Sequence, residues 1–561
     1  MPWNVWILFS WVVPILGSRG PISMPFSREM TSSENENVVL LKWGYDRELQ
    51  EISIEIQTPL ATWVVLGLSP EGKLNASDFA VGGWDKENKQ VFYDAHFKDE
   101  WPPVMDKSQD YELLELSRNE THVVLRVWRQ WFTCDSHDLE IENDTIRVIV
   151  VFGEDHEFTL LEKNTYIKSF FFLEILKELT DTENLIPYEF RVNDFLIPAD
   201  DTTYACTFIP MPNVSTKHHI VRYELIVDPD SVGIVHHILI YGCGNNLEFS
   251  SEIGACYGSD TRYSKCMNSL FGWAVGGEVF DFSPDMGVPI GTEEDPKYIR
   301  LEIHYSNFHN KEGLLDSSGI RIYYTPQLRE HDGGILMTGI FTFPIHFIPP
   351  GADHFRNYGL CNTELIPQML GHPVEDFHVN TFLLHGHLTV QSIRIMHYRN
   401  GTLIGSLGED KRYDFNFQQV RDLPGVITVQ MGDQIVVECS SSTPDREGVT
   451  FGGPSTTNEM CVVFLFYYPV VPIAACWSLL DIQHVVEVLE LDESETIMDA
   501  IININGVDWD EETIVKAQNA ILEADHTAII THRTGEMINE TSSTLPIFAP
   551  TPHPCHEYTD D

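Results

Sequence analysis

The sequence predicts an all-β fold divided among several sandwich domains. Short runs alternate apolar and polar residues with a period of two, the pattern of strands that bury one face. Turn signals rich in Gly, Pro and Asn interrupt these runs at short spacing from about residue 36 to 480, and helical periodicity is nearly absent over that stretch. The chain has 561 residues, too many for one hydrophobic core, so about three or four domains are expected. With 43% hydrophobic and 11% aromatic residues, there is enough apolar material to fill them.

Residues 1–20 read as a signal peptide. An apolar run from Val5 to Leu16 ends in Gly17-Ser18-Arg19-Gly20, and it is too short to span a bilayer comfortably. Residues 36–155 form the first sandwich. Its strands include Ile52-Ser53-Ile54-Glu55-Ile56 and Val123-Val124-Leu125-Arg126-Val127, with turns expected at Gly67-Leu68-Ser69-Pro70, Glu71-Gly72 and Gly82-Gly83. Residues 190–345 carry further strands, such as Tyr223 to Val227, Gly233 to Tyr241 and Tyr298 to Tyr305. Ile348-Pro349-Pro350-Gly351 marks a boundary, and 346–480 repeat the pattern in Thr381 to Leu388, Val390 to Tyr398, Gln434 to Cys439 and Met460 to Tyr468. Residues 481–561 differ in composition: 18 Asp and Glu stand against one Lys and one Arg. The expectation is a solvated acidic C-terminal extension, partly helical, with Asp508 to Ala524 placing Ile514, Ile521 and Leu522 on one side.

A formal net charge of −49 argues against nucleic acid or anionic lipid as partner, because phosphate binding needs a basic surface. No second apolar stretch is long enough to span a membrane, so no direct span is expected, while a homo-oligomer is allowed. The ten cysteines are even in number and none forms a C-x-x-C pair, which points to disulfides in an oxidising compartment. Six N-x-S/T sequons, at Asn75, Asn119, Asn143, Asn213, Asn400 and Asn539, agree with a secreted or secretory-lumen glycoprotein.

Among 23 histidines, three places stand out because each lies in apolar, strand-like sequence: His236-His237, His304 and His385-Gly386-His387. Residues i and i+2 of a strand face the same way, so His385 and His387 can address one ion. Adjacent His236 and His237 can do so only if the backbone twists or their Nδ atoms coordinate. The doublet His218-His219 is a decoy of equal appearance. Imidazole clusters suit Zn, Cu, Fe or Ni. The absence of carboxylates beside these histidines disfavours a non-haem iron triad, and no H-E-x-x-H is present. A methionine ligand would select copper, because a thioether favours Cu(I).

Residues 36–155 resemble a DOMON domain in Leu68-Ser69-Pro70, Asp78-Phe79-Ala80-Val81-Gly82, the Asp106 to Leu113 segment and Thr133-Cys134-Asp135. The chain from about 36 to 480 resembles the copper type II, ascorbate-dependent monooxygenases, and among them the dopamine β-hydroxylase-like members. The stretches that carry the likeness are Lys217-His218-His219-Ile220, Val235-His236-His237, Leu301-Glu302-Ile303-His304-Tyr305, Arg321-Ile322-Tyr323-Tyr324-Thr325, His385-Gly386-His387-Leu388-Thr389 and Glu459-Met460-Cys461. The resemblance implies two jelly-roll-like copper domains whose metals face each other across a solvent cleft. His236, His237 and His304 would hold an electron-transfer copper. His385, His387 and Met460 would hold the copper where O2 reacts. It implies two copper ions per chain, ascorbate as electron donor, and hydroxylation of a C–H bond on a small organic substrate, with phenethylamines as the reference class. It also implies five disulfides: Cys206 with Cys256, Cys243 with Cys266, Cys361 with Cys476, Cys439 with Cys461, and Cys134 with Cys555.

The chain departs from the family pattern in four places. Gly386 stands where a small hydroxylated or aliphatic residue is usual, Val390 where a Gly is expected, and Asn380 where a Phe is expected. Leu239 stands where dopamine β-hydroxylase carries a Glu, a natural partner for an amine. One family bridge near Cys361 is also missing. These departures keep a second reading open, a catalytically inactive, secreted copper-binding glycoprotein of the same fold. A plain adhesion sandwich with structural histidines is a third.

Overall fold

The structure, a computed structural model, describes residues 22–31, 38–98, 100–156, 158–177, 179–244, 250–257, 262–492, 495–542 and Cys555. The signal-peptide expectation for 1–20 lies outside them. The chain divides into two units. One comprises Met1–Glu142, Arg147–Lys168 and Pro554–Asp561; the other comprises Asn143–Ile146 and Ser169–His553.

The first unit is a two-sheet sandwich. One sheet runs Phe26–Thr31, Val38–Asp46, Glu51–Pro59, His122–Gln130, Glu112–Arg118. The other runs Thr165–Phe170, Ile146–Gly153, Trp63–Ser69, Asp78–Trp84, Gln90–His96, Val104–Met105. The central strands Trp63–Ser69 and Asp78–Trp84 are buried along their whole length, so they read as apolar runs without alternation. Gly67 and the Gly82-Gly83 pair, expected at turns, lie inside these strands instead. A Cβ at Gly83 would sit 2.8 Å from the Thr62 carbonyl oxygen, so glycine there permits close strand approach and does not reverse the chain. The reversal expected at Glu71-Gly72 is present, with the backbone bending from Pro70 to Gly72.

The second unit contains two sandwiches. In the first, Ile186–Arg191, Gly319–Thr325, His218–Ile226, Met286–Ile290 and His331–Asp332 form one sheet, and Gly254–Ala255, Thr202–Pro210, Tyr298–Ser306, Val235–Gly242 and Asn268–Ala274 form the other. In the second, one sheet runs Arg421–Val429, Phe377–Gly386, Cys461–Tyr468, Gly334–Ile340, Ile473–Leu480, His526–His532, Met537–Ser542. The other runs Phe355–Asn362, Gln434–Ser441, Val390–Arg399, Thr402–Asp410. One apolar cluster runs from Phe190, Tyr223 and Phe271 of the first sandwich into Phe464, Phe466 and Trp477 of the second. This shared core joins the two sandwiches without a linker. Gly334–Ile340 pairs with Cys461–Tyr468 and Ile473–Leu480, so this strand belongs to the second sandwich although it precedes the expected boundary at 345/346.

The C-terminal extension is folded as far as it is described, against the expectation of a solvated tail. Its helices Ile482–Val488, Ile497–Asn505 and Glu511–Glu523 begin on the capping residues Asp481, Thr496 and Asp510. They bury Val485, Ala500, Ile504, Ala517 and Ile521 against Phe347, Ile348 and Phe355. His526–His532 then pairs with Ile473–Leu480 as a further strand of the second sandwich. Acidic composition marked the solvent faces only; the apolar stripe between them supplies the packing.

Disulfides join Cys134 to Cys555, Cys206 to Cys256, Cys243 to Cys266, Cys361 to Cys476 and Cys439 to Cys461, and no cysteine is free among the described residues. Asn75, Asn119, Asn143, Asn213, Asn400 and Asn539 are all exposed. None of the helices among the described residues is long and apolar enough to cross a membrane.

Candidate copper centres

His236 and His237 lie on the strand Val235–Gly242, beside the strand Tyr298–Ser306 that carries His304. A regular strand would send adjacent histidines to opposite faces. Here the pairing register shifts between Val235 and His237, and beyond the shift His237 stands directly opposite His304. The irregularity turns His236 toward its neighbours. Nδ1 of His236 and Nδ1 of His304 each lie 3.4 Å from Nδ1 of His237, so three ring nitrogens converge on one point. Both conditions under which the doublet could share a metal, an irregular backbone and Nδ atoms, are present. Tyr204 stacks on His304 with ring centres 4.3 Å apart. The Nε2 atoms of His236 and His304 are buried without a hydrogen-bond partner, so neither ring is a satisfied core histidine.

His219 is the contrast. Its Nε2 meets Asp332 Oδ1 at 2.8 Å, and the Arg329 N–H donates to its Nδ1 at 3.1 Å. Both nitrogens are used, which assigns the His218-His219 doublet to structure.

His385 and His387 end the strand Phe377–Gly386. In its pairing with Cys461–Tyr468, Gly386 faces Cys461, and one step further the chain reaches His387 on one side and Met460 on the other. The buried carboxylate of Glu459 ties these segments together: it accepts the backbone N–H groups of His387, Met460 and Thr389. The Cys439–Cys461 bond begins at the residue after Met460. Tyr413 pins the glycine between the histidines, its hydroxyl accepting the Gly386 N–H at 3.0 Å and donating to the Gly386 carbonyl at 2.9 Å. His385 Nδ1–H donates to Gln418 Oε1 at 2.7 Å, and His387 Nδ1–H to the Asn458 carbonyl at 3.1 Å. These bonds fix the tautomers and leave the Nε2 lone pairs free. His387 Nε2 is buried and makes no hydrogen bond within the protein, so its lone pair is available to an ion.

Burial keeps all five imidazoles neutral. It lowers His236 to about 3, His304 to about 2, and His385 and His387 to about 4, and it holds His237 well below the usual range. Neighbouring imidazoles add to the effect at His236, His237, His304 and His385. Neutral nitrogen is the ligating form. Two sets of desolvated imidazoles, one with Met460 on the neighbouring strand end, fit copper by donor type.

The sets are not separated by an open cleft. The rings of His237 and His385 lie 5.7 Å apart, and Phe415 stacks on His236 at 4.2 Å while reaching His387 at 6.2 Å. The segment carrying Phe415 is docked by the Gln418 N–H, which donates to the Val275 carbonyl at 2.8 Å; Val275 in turn donates its N–H to the His236 carbonyl at 2.9 Å. Gln418, Tyr413 and Phe415 carry no local sequence signal, because each acts through long-range contact. Glu459 stands in the family-like stretch Glu459-Met460-Cys461, but its hold on the backbone beside both ligands shows only in the fold.

Residues 188–312 match the copper type II ascorbate-dependent monooxygenase N-terminal domain, 331–488 its C-terminal domain, and 35–153 the DOMON domain. The mouse DBH-like monooxygenase protein 2 is 42% identical over 547 residues, covering 97% of this chain and 87% of the relative. The chain belongs to the copper type II ascorbate-dependent monooxygenase family. The human putative DBH-like monooxygenase protein 2 is 44% identical over 487 residues, covering 86% of this chain and 97% of that one. Rat dopamine beta-hydroxylase is 31% identical over 481 residues, covering 84% and 77%. The family's cofactors are copper and ascorbate, as its name states.

The departures from the family pattern acquire physical content in the structure. A Cβ on Gly386 would lie 2.8 Å from Val390 Cγ2, so glycine at one position and valine at the other occupy a single space. Asn380 sits at a register shift in its strand and donates from Nδ2 to Met286 Sδ at 3.5 Å. Leu239 stands opposite Glu302 in register. That carboxylate is buried and engaged, by the Tyr257 hydroxyl at 3.0 Å and Arg300 at 3.3 Å.

Proposed function

We propose that this chain is an active, secreted monooxygenase that hydroxylates a C–H bond of a small organic substrate, using O2 and ascorbate. The observation that carries the reading is the pair of desolvated imidazole sets, His236, His237 and His304 against His385 and His387, facing each other inside one folded unit. His236, His237 and His304 would hold the copper that passes electrons, and His385, His387 and Met460 the copper at which O2 reacts. When bound, copper supplies one-electron chemistry: two electrons from ascorbate and two protons accompany O2, one oxygen atom enters the C–H bond and the other leaves as water.

The chain's own residues prepare this chemistry. Gln418 and the Asn458 carbonyl hold the Nδ1 protons of His385 and His387, so the opposite nitrogens stay available. Glu459 fixes the backbone on both sides of the methionine site. Phe415 covers the His236 ring and lies beside His387. The thioether of Met460 favours Cu(I), the form that meets O2. The inactive reading rests on the departures at Gly386, Val390, Asn380 and Leu239; the mutual packing of Gly386 and Val390 accounts for two of them. The missing carboxylate at Leu239 makes a protonated amine a less natural substrate than for dopamine beta-hydroxylase.

The test is oxygen consumption by copper-loaded protein with ascorbate and a panel of small organic substrates headed by phenethylamines. Hydroxylated product in equal amount to O2 consumed supports the proposal. Copper bound at both sets without product on any substrate favours the inactive glycoprotein.

A further inference from the structure

We infer a metal site for a zinc-like divalent ion in the N-terminal sandwich unit, built from His96, Asp106, Asp135 and His137. His96 ends the strand Gln90–His96, and Asp106 directly follows Val104–Met105, which pairs with that strand. Asp135 and His137 lie on the loop just after Cys134, so the fold brings three separate segments to one place.

The donor atoms of His96, Asp106 and His137 all lie within 4.8 Å of one another, and Asp135 adjoins His137. Nδ1 of His96 lies 2.9 Å and Nδ1 of His137 3.2 Å from the same oxygen, Asp106 Oδ2, and Nδ1 of His137 is 3.4 Å from Asp135 Oδ1. The Asp106 side chain is only 3% exposed, and the Lys107 N–H donates to its other oxygen at 2.6 Å. Its position is therefore set independently of the histidines.

Charge argues for a cation. The carboxylates of Asp106, Asp135 and Asp138 lie within 4.8 Å of one another, an unfavourable gathering of like charge in partly desolvated surroundings. Asp138 Oδ2 is buried without a hydrogen-bond partner. Arg129 approaches it only to 3.9 Å and is engaged more closely by Asp78. A dication beside Asp106 offsets this repulsion.

The donor set selects the ion. Calcium and magnesium take oxygen ligands, whereas two imidazoles with two carboxylates suit a borderline ion, above all tetrahedral Zn2+. The rings of His96 and His137 stack 4.0 Å apart with 8° between their planes. Their lone pairs thus run side by side, and one ion can lie in both ring planes only if a ring turns. His137 is free to do so, with 49% of its side chain exposed. The bound ion would clamp the loop that carries the Cys134–Cys555 bond to the strand edge at His96.

The experiment uses the full chain with its copper sites saturated, dialysed against micromolar Zn2+, and counts both metals per chain. One zinc ion is expected in addition to copper. His96→Asn and His137→Asn should each weaken zinc retention at least ~10-fold while leaving the copper content unchanged. Zinc-edge X-ray absorption of the wild type should show two imidazoles in the first shell, which keeps the proposal testable if either variant fails to fold. Zinc uptake unchanged in both variants, a first shell of oxygens alone, or no zinc held by the wild type would overturn it.

Discussion

Gly386 and Val390 show how one residue's identity is set by another's. With 2.8 Å between the absent Cβ and Val390 Cγ2, Gly386→Thr should overpack the second sandwich at a cost of ~1–3 kcal/mol. Val390→Gly should open a cavity and cost ~2 kcal/mol or more. The double variant should cost at least ~1 kcal/mol less than the two singles together. Denaturant unfolding of the four proteins measures this, and strict additivity would show that the two positions do not share space. Met460 makes the complementary case, where chemistry and volume separate. Met460→Ile conserves volume roughly, so stability should change by under ~1.5 kcal/mol, but it removes the soft ligand for Cu(I). Hydroxylation should be lost with folding and secretion retained. Near-normal turnover in this variant, with two coppers still bound, would mean that Met460 is not a ligand.

At the scale of strands, the histidine sets create a pH dependence in the copper-free protein. Each of the five imidazoles has its folded pKa depressed below the unfolded value, so the unfolded chain binds more protons as pH falls. Their contribution is fully present above about pH 6.5 and declines as pH falls; for His385 and His387 the decline ends near pH 4, and for His236 near pH 3. Each histidine adds up to ~1.4 kcal/mol per pH unit in that window. Thermal melts of copper-free protein should therefore fall steeply between pH 6.5 and 4, and His304→Gln should flatten the fall. A wild-type profile that is level over this range would contradict the burial account. The disulfides separate stability from function in a similar way. Cys361–Cys476 closes a span of 115 residues and Cys439–Cys461 one of 22, so chain entropy makes the first worth ~4–5 and the second ~3 kcal/mol. Replacing the first pair by alanine should lower the melting temperature more. Replacing the second should cost more copper at the methionine site, because Cys461 follows Met460. Equal copper loss from both replacements would deny the shorter bridge its local role.

Across the whole molecule, the all-β class, the order of the sandwiches and the residues that form both imidazole sets were legible in the sequence, because period-two patterning and histidines in apolar strands are local signals. What was not legible depends on distant contact. The shift that turns His236 beside His237 requires the neighbouring strand. Gly82 and Gly83 read as a turn because close packing and chain reversal both call for glycine. The C-terminal extension read as solvated because its charges outnumber the few residues, such as Ile504 and Ile521, that anchor it. Gln418 and Phe415 carry no motif and become meaningful only where their segment docks across the second unit. On the proposed function the two sets hold two coppers independently, and copper content per folded chain measures this. Wild-type protein should bind two coppers, His237→Ala and His387→Ala one each, and the double variant none. Loss of both coppers from either single variant, or of neither, would contradict the account.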